Sequence, residues 1–171
     1  MEYELLSNGK VQIGGKAPDF TSNSTQGEIS ISNNNMWTVI FSYKEDFYPI
    51  STSEIVEFEK NRYLFNEMNT KIIGMSMGTL LSHYAWINDI YNTYGIVINI
   101  PLLDDPIGEV CRKYGTISKE INNCVTNNVI IIDDKGIVRS ILEYSPEIER
   151  NIYEIIRILK ILKEYAFGYN K

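Results

Sequence analysis

The sequence predicts an α/β layer fold, and three observations carry that expectation. Short β-branched runs alternate with amphipathic stretches. The last stretch repeats Ile148, Ile152, Ile155, Leu159 and Leu162 at helical spacing. The chain has 171 residues, of which 44% are hydrophobic, enough for one domain with a real core. No internal repeat, low-complexity tract or linker divides it, so residues 1–171 are expected to form a single domain.

The elements follow in order. Residues 37–41, apolar and β-rich after the turn Asn33-Asn34-Asn35, are expected to form a buried strand. A helix should start at Thr52 with Ser51 or Thr52 as its N-cap, and Ile55, Phe58, Phe65 and Met68 are spaced for one buried face. Ser51 would then sit where free N–H groups and the helix dipole favour a negative charge. Strands are expected at 71–75 and 128–132, and a third at 136–144 after the turn Asp133-Asp134-Lys135-Gly136. Helices should cover 80–91 and 108–114, before the final one.

The formal charge is −6, which argues against a nucleic-acid groove or an anionic membrane surface as partner. Met1-Glu2-Tyr3-Glu4-Leu5-Leu6 lacks the basic and apolar regions of a secretory signal, and no apolar run approaches the roughly 18 residues of a membrane span. Cytoplasmic synthesis is therefore expected. Two cysteines and one histidine are too few for a disulfide framework or a metal cluster, so no metal or cofactor is expected. The abundance of Asn, Ile, Tyr and Lys suits an AT-rich bacterial coding sequence.

Several blocks, in order, resemble the peroxiredoxin family of AhpC/TSA type. Lys16-Ala17-Pro18-Asp19-Phe20 looks like its "APDF" opening, and Ile73-Gly74-Met75-Ser76 with Ser82-His83-Tyr84-Ala85-Trp86 resembles "GxS…SHxAW". Asn99 to Asp105 with Gly108-Glu109-Val110 is similar to "FPLxxDPxGEV". Ile131-Ile132-Asp133 with Gly136-Ile137-Val138-Arg139 matches "IDxxGxxR", which implies that Arg139 is the active-site arginine. Tyr144 and Arg150-Asn151-Ile152 through Leu159 resemble the closing "YPxxxGRNxxEILRxL" block. The resemblance implies a thioredoxin-like fold, with a central mixed β-sheet flanked by helices, and a homodimer.

The departure lies in the segment Phe41 to Glu54, which resembles the active site of the one-cysteine type. Where the family has "PxxxTxxC", Lys44 replaces the proline that shields the site, Tyr48 the threonine that binds peroxide, and Ser51 the peroxidatic cysteine. Asn127 appears where many members carry a second arginine, while Glu54, Trp86 and Arg139 remain. Peroxiredoxins attack the O–O bond with a thiolate, and a serine hydroxyl has neither the acidity nor the oxidation ladder for this. The function expected is therefore a degenerate peroxiredoxin-like domain acting as a structural or binding module. The alternative is an active one-cysteine thiol peroxidase whose cysteine was replaced by Ser51 to trap a redox state. Changes at Lys44 and Tyr48 favour natural loss, because residues acting as a unit lose their constraint together.

The remaining candidates read as structural. Cys111 is expected to be a small core hydrophobe, and Cys124 lacks an evident activating neighbour. His83, near Ser82 and Trp86, is expected to make a structural hydrogen bond. Glu54 and Arg139 are expected to pair, since a buried charge needs a partner. The 12 tyrosines could serve protein or carbohydrate contacts, although no stripe singles them out. The chain also resembles the N-terminal peroxiredoxin-like domain of bacterial spore-coat proteins fused to a chitinase, which implies a spore-coat or surface location.

Overall fold

The computed structural model describes residues 11–31 and 35–168. The N-terminal hexapeptide and Asn33-Asn34 of the expected turn lie outside the described residues.

A four-stranded mixed sheet forms the centre. Strand β3 (Trp37–Ser42) pairs in parallel with β4 (Thr70–Met75) and antiparallel with β7 (Asn127–Ile132), which pairs antiparallel with the outer strand β8 (Val138–Tyr144). The parallel step from β3 to β4 needs a crossover, and helices α1 (Pro49–Lys60) and α2 (Arg62–Glu67) provide it. Two short hairpins lie outside this sheet: β1 (Thr21–Ser24) with β2 (Gly27–Ser30), and β5 (Ile117–Ser118) with β6 (Cys124–Val125).

Side chains alternate across the sheet and build two cores. On one face Val39, Phe41, Val129 and Ile131 meet Ile55 and Phe58 of α1, Trp86 and Ile90 of α3 (Leu80–Tyr94), and Ile155 and Leu159 of α5 (Ile152–Gly168). On the other, Ile40, Ile73 and Ile130 meet Phe20, Leu103, and Val110 and Cys111 of α4 (Glu109–Lys113). The thioredoxin-like expectation holds.

Three expected boundaries move. Helix α1 begins at Pro49 with Tyr48 as N-cap, so Ser51 is the third helical residue and not the cap. Proline is pre-organised for the first helical position and does not need its missing N–H there. The expected long helix breaks at Asn61, where both the backbone N–H and the side-chain amide donate to the Glu57 carbonyl, at 3.2 and 2.9 Å. Helix α5 begins at Ile152, leaving Ile148 outside it and 49% exposed. The cause is Asn151, whose Oδ1 accepts the Tyr153 N–H at 3.0 Å as an N-cap.

Phe58 stacks on Phe41 at 4.4 Å and is fully buried. Phe58→Ala is expected to lower the unfolding free energy by about 3–5 kcal/mol, measured from the shift in urea midpoint.

Candidate functional site

The site is built where β3 ends and α1 begins. The first α1 hydrogen bond runs from the Thr52 N–H to the Tyr48 carbonyl at 2.9 Å, so the N–H groups of Ile50 and Ser51 precede the helical ladder. The Thr52 hydroxyl accepts from Trp86 Nε1 at 3.0 Å and fastens this turn to α3. Ser51 is 2% exposed, and its hydroxyl has no hydrogen-bond partner. Among the described residues no base therefore stands within reach of its proton. Lys44 Nζ lies 4.5 Å from the centre of the Tyr48 ring, so these two residues touch each other.

One turn after Ser51, Glu54 is buried and ionically paired, but its partner is Arg150. Arg150 Nε and N–H both donate to Glu54 Oε2, at 2.6 and 2.7 Å, and Nη2 donates to Oε1 at 2.9 Å. Nη1 donates to the carbonyls of Ser42 and Asn128, each at 2.7 Å. The guanidinium thus ties α1, β3 and β7 together just ahead of α5.

The expected pairing of Glu54 with Arg139 is incorrect. Arg139 donates to Asp133 at 3.2 Å and is partly exposed, bracing the turn between β7 and β8. Asp133 and Asn128 lie at opposite ends of β7, on the order of 15 Å apart at strand rise. Arg139 therefore stands at the wrong end of the sheet to reach Glu54. Arg150 lies within the closing block, where the resemblance assigns it no role. Its signal was available: an arginine at the mouth of an apolar helix has to find a carboxylate if it is buried.

Asn127 is buried on β7, and its amide donates to the carbonyls of Pro146 and Ile148, both at 3.3 Å, while Oδ1 has no partner. Ser53 donates to Glu149 at 2.5 Å. Segment 145–151 is thereby strapped across the start of α1 by three side chains, Ser53, Glu54 and Asn127.

The loop from β3 to α1 is held separately. Asp46 accepts from the Tyr43 hydroxyl at 2.9 Å, from the Ser82 hydroxyl at 2.7 Å, and faces His83 Nδ1 at 2.7 Å. The next residue, Phe47, has φ 64°, a left-handed conformation that costs an aromatic residue on the order of 1–3 kcal/mol. His83 makes the expected structural hydrogen bonds, and both ring nitrogens are engaged.

Neither cysteine is activated. Burial first, and the Asp105 carboxylate second, push the Cys111 thiol far up. Cys124 sits near the loop and feels Lys44, yet partial burial together with Glu45 and Glu147 outweighs that cation and raises its thiol as well. No described helix is long and apolar enough to cross a membrane.

Over residues 13–141 the sequence matches the AhpC/TSA family. It is 42% identical over 154 residues to a protein named Peroxiredoxin 2 from Picrophilus torridus, covering 90% of this chain and 76% of the relative. Against Peroxiredoxin 2 of Caldanaerobacter subterraneus subsp. tengcongensis the identity is 44% over 169 residues, covering 95% and 76%. Among solved structures, the yeast mitochondrial 1-Cys peroxiredoxin aligns with a TM-score of 0.82 at 27% identity, covering 91% of this chain and 78% of that one. A cysteine-to-serine mutant of the peroxiredoxin 6 of Arenicola marina aligns with 0.84 at 25%, covering 91% and 75%.

The two arginines give a direct test. Arg150→Ala strands the Glu54 carboxylate in the interior and is expected to cost about 3–5 kcal/mol. Arg139→Ala removes a partly exposed arginine from Asp133, which keeps the N–H donors of Lys135 and Ile137, and should cost under about 1 kcal/mol. Chemical denaturation of the two variants measures both.

Proposed function

The chain belongs to the AhpC/TSA family of peroxiredoxins, and we propose that it is a member whose thiol-peroxidase site has degenerated, leaving a structural or binding module. Ser51 carries this reading. Its hydroxyl is buried, has no hydrogen-bond partner and stands where the family pattern has the thiol. Peroxide reduction needs a nucleophile that can accept the transferred oxygen and be reduced again, which serine is not. Cys111 and Cys124 are no substitutes, because the environment of each disfavours the thiolate. Lys44 and Tyr48 fill the places of the proline and threonine and stack on one another, which supports loss of the whole constellation.

A second reading is favoured by what remains. The open N–H groups at the start of α1 form a setting that would lower a cysteine pKa, and a solved relative of this fold is itself a cysteine-to-serine mutant. On that reading the protein is a one-cysteine thiol peroxidase with Ser51 in place of its nucleophile.

The module is proposed to act as a homodimer through β8, the outer strand of the sheet. Ile141 and Leu142 lie there half-buried, and such an edge invites pairing across a two-fold axis. A protein or carbohydrate partner, met by exposed tyrosines such as Tyr84, Tyr91 and Tyr94, belongs to the same proposal. So does a place in a spore coat or at a surface as one domain of a chitinase fusion.

Two measurements test these statements. Ser51→Cys should alkylate with iodoacetamide near neutral pH but reduce hydrogen peroxide slowly. Adding Tyr48→Thr and Lys44→Pro should raise the peroxide rate by about 100-fold, the scale of restoring a transition-state donor. If Ser51→Cys alone matches an ordinary peroxiredoxin, the second reading replaces the first. Light scattering at micromolar concentration should give the mass of a dimer, and a monomer there contradicts the β8 interface.

A further inference from the structure

His83 is fully buried, and it is the only histidine in the chain. Its two ring nitrogens face two acceptors: Nδ1 meets Asp46 Oδ2 at 2.7 Å, and Nε2 meets the Leu103 carbonyl at 2.8 Å. A neutral imidazole carries one N–H. Paired with an ionised Asp46, it would turn a bare lone pair either on the carbonyl or on the carboxylate. Both contacts are bonds only when the couple holds two protons, one on Nε2 and one between Nδ1 and Oδ2.

Among the described residues no neighbour supplies the missing proton instead; the Tyr43 hydroxyl stands 3.5 Å from Nδ1 but gives its hydrogen to Asp46 at 2.9 Å. The Tyr43 and Ser82 hydroxyls already donate to Asp46, and burial first, then the Asp46 charge, hold the Tyr43 hydroxyl protonated. On the Leu103 side, Asp104 accepts the Leu80 N–H, and Asp105 accepts the N–H groups of Val110 and Cys111. Cys111 itself keeps its proton. The ring cannot slip to a new partner either. A Cβ on Gly78 would come within 2.6 Å of His83 Cε1, so the backbone packs flush on its edge. What the couple holds is a strained loop, because Asp46 precedes Phe47 at φ 64° and the loop carries Lys44 and Tyr48 into α1.

We propose that His83 and Asp46 form a two-proton latch that pins the loop between β3 and α1 to α3, and that loss of one proton to solvent as pH rises releases the loop. With one proton gone, either the Asp46 or the Leu103 contact becomes a lone-pair repulsion. Phe47 is then no longer held in its left-handed conformation, and the Lys44–Tyr48 pair at the helix entrance moves with it. The latch is independent of whether residue 51 is a working nucleophile.

The single histidine makes the test clean. Imidazole ¹⁵N spectra of the full chain, taken from about pH 5 to about pH 9, should show His83 with both nitrogens as N–H donors at the acidic end and one N–H lost on raising pH. The backbone amides of Asp46, Phe47 and Tyr48 should shift with the same midpoint. Asp46→Ala removes the carboxylate without putting an amide donor in its place, so its loop amides should resemble the high-pH state of the native chain and stay flat with pH. A ring found as one neutral tautomer throughout overturns the latch. So do loop amides that ignore the ring's titration. The native chain alone decides between these outcomes if the variant fails to fold.

Discussion

The buried pair of Glu54 and Arg150 is the constraint on which the site's geometry depends. Its two side chains are essentially unexposed and join four elements: α1, the end of β3, the start of β7 and the entry to α5. Every carboxylate oxygen is bonded, and three guanidinium nitrogens are in use. Such a pair adds little net stability over apolar residues of equal volume, because desolvation offsets most of its attraction. Its consequence is positional. Losing either partner strands a charge, so α1 can sit in only one place relative to the sheet.

A second restraint works on the other side of the helix start. Asp46 draws Tyr43, Ser82 and His83 together, and the adjacent Phe47 takes the strain. Thr52 and Trp86 then fix the first turn. Ser51 stands between these restraints and contributes a hydrogen bond to none of them. The side chains of Lys44 and Tyr48 are alike in this, since their contact is with each other, although the Tyr48 carbonyl accepts the first hydrogen bond of α1. The positions that would carry chemistry are held by the scaffold and do not hold it.

This division explains what could be read in the sequence. The strands at 37–41, 71–75 and 128–132 were legible because buried central strands are continuous apolar runs, and α5 because its apolar stripe is regular. The hairpin of β1 and β2 was not, since Thr21–Ser24 and Gly27–Ser30 are short and polar and are defined by their pairing. Helix starts shifted where proline and asparagine competed with serine and threonine for the role of boundary. The candidate segment Phe41 to Glu54 could be singled out from its order of residues. Which arginine reached Glu54 could not, because Arg139 and Arg150 both follow a strand in recognisable blocks. Only the run of β7, with Asp133 at one end and Asn128 at the other, separates them.

The energetics make a degenerate site compatible with an intact fold. Replacing a thiol by a hydroxyl at position 51 changes one nearly isosteric group, and nothing in the fold loses a partner. The cost is an unsatisfied hydroxyl, whose desolvation is on the order of 1–3 kcal/mol. A change at Glu54 or Arg150 would instead remove about 3–5 kcal/mol from a domain whose whole margin is of order 5–15 kcal/mol. Folding therefore preserves Glu54 and Arg150 whether or not peroxide is ever reduced, while residues 44, 48 and 51 are free to drift once catalysis is not required. The presence of the ion pair is thus no sign of activity, and the identity of residue 51 is the informative position.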